Sequence, residues 1–73
     1  MDTRELERIA RIVLRELGAG DPPVTVSPDP QPDRWRIDVG GQNPVTLTVR
    51  AGAGTTTQYV REQIFTQFAG RNY

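Results

Sequence analysis

The chain has 73 residues, nine basic and nine acidic side chains, and a formal net charge of zero. Every one of the nine cations is arginine. Histidine, lysine and cysteine do not occur, which excludes a disulfide framework, a thiolate metal site and the side chains most often recruited for acid–base catalysis near neutrality. One small domain over residues 1–73 is expected, burying roughly 60% of the surface that its unfolded form exposes, and zero net charge removes any global steering toward nucleic acid or an anionic membrane.

The chain opens "MDTRELERIARIVLRELG". Asp2 followed by Glu5 fits a capping box, and Leu6, Ile9, Ala10, Val13 and Leu17 recur at the three-to-four spacing of one buried helical stripe. Gly18 and Gly20 supply the left-handed residue that closes a helix, so the first helix is expected over about 3–17. The opening is acidic and polar, without the basic and apolar regions of a secretory signal. The longest apolar run, Ile12–Leu14, is far short of the roughly 20 residues that span a bilayer. The expectation is a soluble, cytoplasmic protein without membrane partners.

On the same helix Arg4, Arg8, Arg11 and Arg15 fall within about 60° of arc, opposite the Leu6/Val13/Leu17 side. The planar fork of arginine suits bidentate contact with phosphate or carboxylate, so this line is a candidate grip. Glu5, Glu7 and Glu16 flank it, and a pair such as Glu7–Arg11 at i,i+4 is equally the signature of a solvated face. Ile12 and Leu14 sit about 80–100° off the centre of the buried stripe. The apolar sector is therefore wider than one contact needs, and the six residues Arg4, Arg8, Arg11, Ile12, Leu14 and Arg15 are the candidate partner-binding set.

"DPPVTVSPDPQPD" holds five of the six prolines. Proline donates no ladder hydrogen bond, so a strand at Val24–Ser27 must be short and at a sheet edge, followed by a stiff, extended connection over 28–33. If that strand fails to pair, Gly18–Asp33 becomes a linker. "RWRIDV" and "VTLTVR" then alternate: Trp35, Ile37 and Val39, and Val45, Leu47 and Val49, share one dry face, while Arg34, Arg36, Asp38, Thr46, Thr48 and Arg50 point to the other. The connection "GGQNP" joins them as an antiparallel hairpin.

After "AGAG", Thr55 or Thr56 can cap a closing helix expected over about 56–69, with Val60, Ile64 and Phe68 as its apolar line, Phe65 beside them and Gly70 as its stop. Arg61 falls between Phe65 and Phe68, its stem expected along apolar surface and its head at solvent or a carboxylate of the sheet edge. Tyr59 points to the wet side. The glycine-rich entry to this helix makes Arg50, Gly52, Gly54, Thr55 and Thr56 a candidate anion-binding group, although it lacks the third glycine of a dinucleotide fingerprint and the lysine of a P-loop.

Taken together, the elements imply an α+β fold: a two-layer αβββα arrangement, a three-stranded antiparallel meander with both helices packed on one face. Ser27 is the chain's one serine, stands beside a proline and has no base nearby in sequence, and the acids are scattered over wet faces. The expectation is thus a non-enzymatic binding module without metal or cofactor. Its partner would be another protein, or a second copy meeting it through the first helix or the edge strand Val45–Arg50.

Helix–strand–strand–strand–helix with both helices on one sheet face resembles the double-stranded-RNA-binding domain. That resemblance implies a first helix that reads the minor groove, here carrying Arg4, Arg8, Arg11 and Arg15, and a basic run opening the last helix. This chain opens its last helix with "TTTQYVRE" and its first hairpin with "SPDPQPD", neither of them basic. The segment "MDTRELERIARIVLREL" also resembles the short N-terminal helices that target cargo enzymes into bacterial microcompartments, which would assign Leu6, Ile9, Val13 and Leu17 to a partner's groove.

Overall fold

The computed structural model describes residues 2–41 and 44–71, so Gln42 and Asn43 of the hairpin connection lie outside the described residues. The elements are α1 (Thr3–Glu16), β1 (Val24–Pro28), β2 (Arg34–Val39), β3 (Val45–Arg50) and α2 (Thr57–Arg71). The three strands form one antiparallel sheet in the order β1-β2-β3.

Asp2 starts α1: its backbone is extended and its Oδ1 accepts the Glu5 N–H at 2.9 Å, one half of the expected capping box. Gly18, at φ 78°, closes the helix as its N–H donates to the Arg15 carbonyl at 3.1 Å and the Ala19 N–H donates to the Leu14 carbonyl at 2.9 Å. Replacing the cap, Asp2→Ala, is expected to cost about 1 kcal/mol, measurable as a lower urea midpoint with an unchanged slope.

β1 pairs with β2 over five residues, Val24 with Val39 through Pro28 with Trp35. The segment from Gly18 to Asp33 therefore ends in the sheet and is not a linker. One core draws on all five elements. Leu6, Ile9, Ala10, Val13 and Leu14 of α1, and Val60, Ile64 and Phe68 of α2, meet Val24, Ile37, Val39, Leu47 and Val49 from a single face of the sheet, with Ala51 beside them. Thr25, Arg36, Thr46, Thr48 and Arg50 on the opposite face are exposed. Both helices thus lie on one side, as the alternation implied. Among the described residues no helix is long and apolar enough to cross a membrane.

Three expectations need correction. Leu14 is fully enclosed, at 0% exposure, and so is not part of an exposed contact surface; α1 lies in a corner, packed against β1 on one side and α2 on the other, and two contacts require the wider apolar sector. Gly70 does not stop α2, which continues through Arg71; stopping a helix needs a left-handed residue, and Gly70 is not among the glycines at positive φ. Phe65 does not join the apolar line but stands 53% exposed.

The outward edge of β3 is closed by α2. The Gln67 amide accepts the Thr48 N–H at 3.1 Å and donates to the Thr48 carbonyl at 2.6 Å, while the Gln63 amide does the same for Arg50, at 2.9 Å in both directions. Two glutamine side chains thereby stand in for a fourth strand. The expected self-association through Val45–Arg50 meets an edge whose bonding groups at Thr48 and Arg50 are already taken.

Candidate binding surfaces

The outer side of α1 carries the arginine line. Arg4, Arg8, Arg11 and Arg15 are all exposed. Arg11 Nη2 bonds Glu7 Oε1 at 2.8 Å, and Arg15 lies 3.7 Å from Asp21. Such exposed pairs contribute about 0.2–1 kcal/mol or less, so neither arginine is committed to the fold. Among the described residues Arg4 and Arg8 have no ion-pair partner. The four arginines and Glu7 ring Ile12, 42% exposed, in a shallow hollow of about 410 Å³. Of the six candidate contact residues, five thus come together here and Leu14 does not. The line Leu6, Ile9, Val13 and Leu17 points inward: the first three are buried and Leu17 packs against the core.

A second groove, about 330 Å³, follows the seam between the helices. Arg61 Nη2 bonds both carboxylate oxygens of Glu16, at 2.7 and 2.8 Å, bridging the first turns of α2 to the end of α1. The carboxylate that Arg61 meets therefore belongs to α1 and not to the sheet edge. Asp38 instead lies 3.4 Å from Arg36 and accepts the Thr46 hydroxyl at 3.0 Å on the outer sheet face. Val13, Leu17 and Phe65 supply the apolar part of this seam groove.

The third concavity, about 600 Å³, opens where β2 begins and β3 ends. Arg50, Gly52 and Thr55 of the expected anion group line it, whereas Gly54 and Thr56 do not. The loop spends its polar groups internally. Gly52 N–H donates to Thr55 Oγ1 at 2.8 Å, Thr55 N–H returns to the Gly52 carbonyl at 3.2 Å, and Thr56 Oγ1 caps α2 by accepting the Tyr59 N–H at 3.2 Å. The backbone amides of Gly52 and Thr55 are therefore already engaged within the loop. The hollow offers cations: Arg34 reaches it from the start of β2 beside Arg50 from the end of β3. Sequence reading placed Arg34 on the outer face without joining it to this loop, because only the strand register brings residues 34 and 50 opposite each other.

Ser27 Oγ is buried without a hydrogen-bond partner among the described residues. No group of three or more metal-ligating side chains occurs among them. Comparison with family models, with curated proteins and with solved structures finds no match for this chain.

Proposed function

We propose that the chain is a small non-enzymatic binding module that docks another protein on the outer side of α1. The observation that carries this reading is the hollow around Ile12: an exposed branched apolar side chain ringed by four arginines and one glutamate. An apolar anchor inside a polar rim is the anatomy of a small interface centre, and guanidinium groups around it select a partner presenting carboxylates. Composition supports the non-enzymatic part, since histidine, cysteine and lysine are absent.

Recognition of duplex RNA is the second reading. It rests on the resemblance in element order and on the same arginine line facing outward from α1. The two readings separate in one set of measurements. Protein partners retained by the immobilised chain at low salt are expected to be lost with Arg8→Glu/Arg15→Glu and with Ile12→Glu, while duplex RNA of about 16 base pairs, the span such a domain covers, is not bound. Duplex binding that weakens with a slope of about −0.7 to −0.9 in log salt per phosphate contact, and that disappears with Arg8→Glu/Arg15→Glu, would move the surface to nucleic acid. Retention of protein partners unaffected by either substitution would remove α1 as the docking face.

A further inference from the structure

We propose that Arg34 and Arg50 form a second site, separate from the α1 surface, where β2 begins and β3 ends, binding the phosphoryl group of a small phosphate monoester. The sheet register sets these two residues directly opposite each other. Ala51 N–H donates to the Asp33 carbonyl at 2.9 Å, which makes 33–51 a hydrogen-bonded pair. The neighbouring 34–50 pair is then of the non-bonded kind, where strands come closest and side chains are nearest. Like charges directly opposed across strands are destabilising. Nothing in the fold relieves this one: among the described residues neither Arg34 nor Arg50 has a carboxylate within ion-pair distance. Arg36, two residues along the same face, faces Thr48 and has Asp38 at 3.4 Å.

An arginine pair that the fold leaves opposed and unneutralised is explained by an anion that spends part of its time between them. The roots of both side chains are held firmly. Gln63 bonds Arg50 at its N–H and its carbonyl, both at 2.9 Å, and the indole N–H of Trp35, next to Arg34, donates to the Ala51 carbonyl at 2.9 Å. Both arginines line the 600 Å³ hollow together with Thr55 and Tyr59. Thr55 Oγ1 already accepts from Gly52 N–H, which leaves its hydroxyl hydrogen to donate. Asp33 lies in the same hollow, but its carboxylate rests against Gly52, with Cγ 2.8 Å from where a Cβ on that glycine would stand. One net positive charge remains.

The chemistry selects the ligand. A carboxylate has two oxygens and satisfies one guanidinium fork, whereas a phosphoryl group presents three oxygens, enough to meet both forks at once. The hollow has the volume of a small-molecule site, so it has room for the organic part of a monoester alongside the half-exposed ring of Tyr59.

Phenyl phosphate is the probe. Titrated into the labelled protein, it is expected to give saturable low-millimolar shifts of the Arg34 and Arg50 Nε–H resonances. Arg34→Gln and Arg50→Gln should each weaken binding by about tenfold or more, as loss of charged hydrogen bonds implies. In ligand-free buffer both variants should melt above the wild type, because each removes the opposed charge; a purely structural role would lower the melting temperature. Shifts confined to Arg4, Arg8, Arg11 and Arg15, no saturation at all, wild-type affinity in the two variants, or lower melting temperatures in ligand-free buffer would each overturn the proposal. Apart from shifts on the α1 arginines, none of these results bears on docking at Ile12.

Discussion

Leu14→Ala is expected to lose about 2–5 kcal/mol, the range for truncating an enclosed leucine, while Ile12→Ala, two residues away, should change stability by about 0.5 kcal/mol or less, as for a surface position. The contrast follows from exposure: 0% at Leu14 against 42% at Ile12. A chain of this length has a total stability of about 4–11 kcal/mol at roughly 0.05–0.15 kcal/mol per residue. The Leu14 variant should therefore give up a large share of its total stability, and Ile12→Ala almost none. Urea denaturation followed by circular dichroism reads both. The pair also separates core from docking surface, because Ile12→Ala should weaken partner binding without touching the fold. Equal losses at the two positions would mean that α1 is not seated in the corner between β1 and α2.

The double substitution Gln63→Ala/Gln67→Ala is expected to have the second-largest effect, and on association as much as on stability. Four hydrogen bonds run from these amides to the backbone of Thr48 and Arg50. The fit is geometric. Four residues advance a helix by about 6 Å, and two residues advance a strand by about 6.8 Å, so glutamines at i and i+4 meet every second residue of a strand running alongside. The four bonds are solvent-exposed and water replaces them in the variant; at the low end of about 0.5 kcal/mol each, the loss is near 2 kcal/mol. The freed edge matters more, since uncovered strand edges recruit other chains. The variant should show a lower urea midpoint and concentration-dependent self-association in sedimentation velocity, where the wild type gains no such species over the same range. A variant with wild-type stability and no added association would show that α2 does not guard the edge.

Much of the architecture was legible because hydrophobic period is a local property. The three-to-four spacing in α1 and the strict alternation in β2 and β3 marked the inward residues: Leu6, Ile9, Val13, Ile37, Val39, Leu47 and Val49 are all in the core. Where one element serves two neighbours, the period misleads. Leu14 read as off-stripe because a single-contact helix was assumed, and Phe65 read only as flanking the apolar line because its angle alone cannot say how far the sheet extends beneath α2. The role of Gln63 and Gln67 was missed entirely. Its one trace in the sequence is a pair of uncharged amides four apart, flanking the apolar line Val60, Ile64 and Phe68, where charged residues would serve solvation equally well.

For the surfaces, the arginine line on α1 followed from spacing alone, since one helix fixes the angles of its own side chains. The hollow at Arg34 and Arg50 did not, because its two cations are sixteen residues apart and meet only through pairing of β2 with β3. The amino-acid order by itself determined five elements and the dry side of each, through periodicity, glycine and proline. Only the tertiary arrangement decided that Leu14 is core, that Arg61 answers Glu16, that two glutamines close the edge and that two arginines oppose each other. These are relations between distant segments, and their energies exist only once the sheet register and the seating of the helices bring the segments within reach.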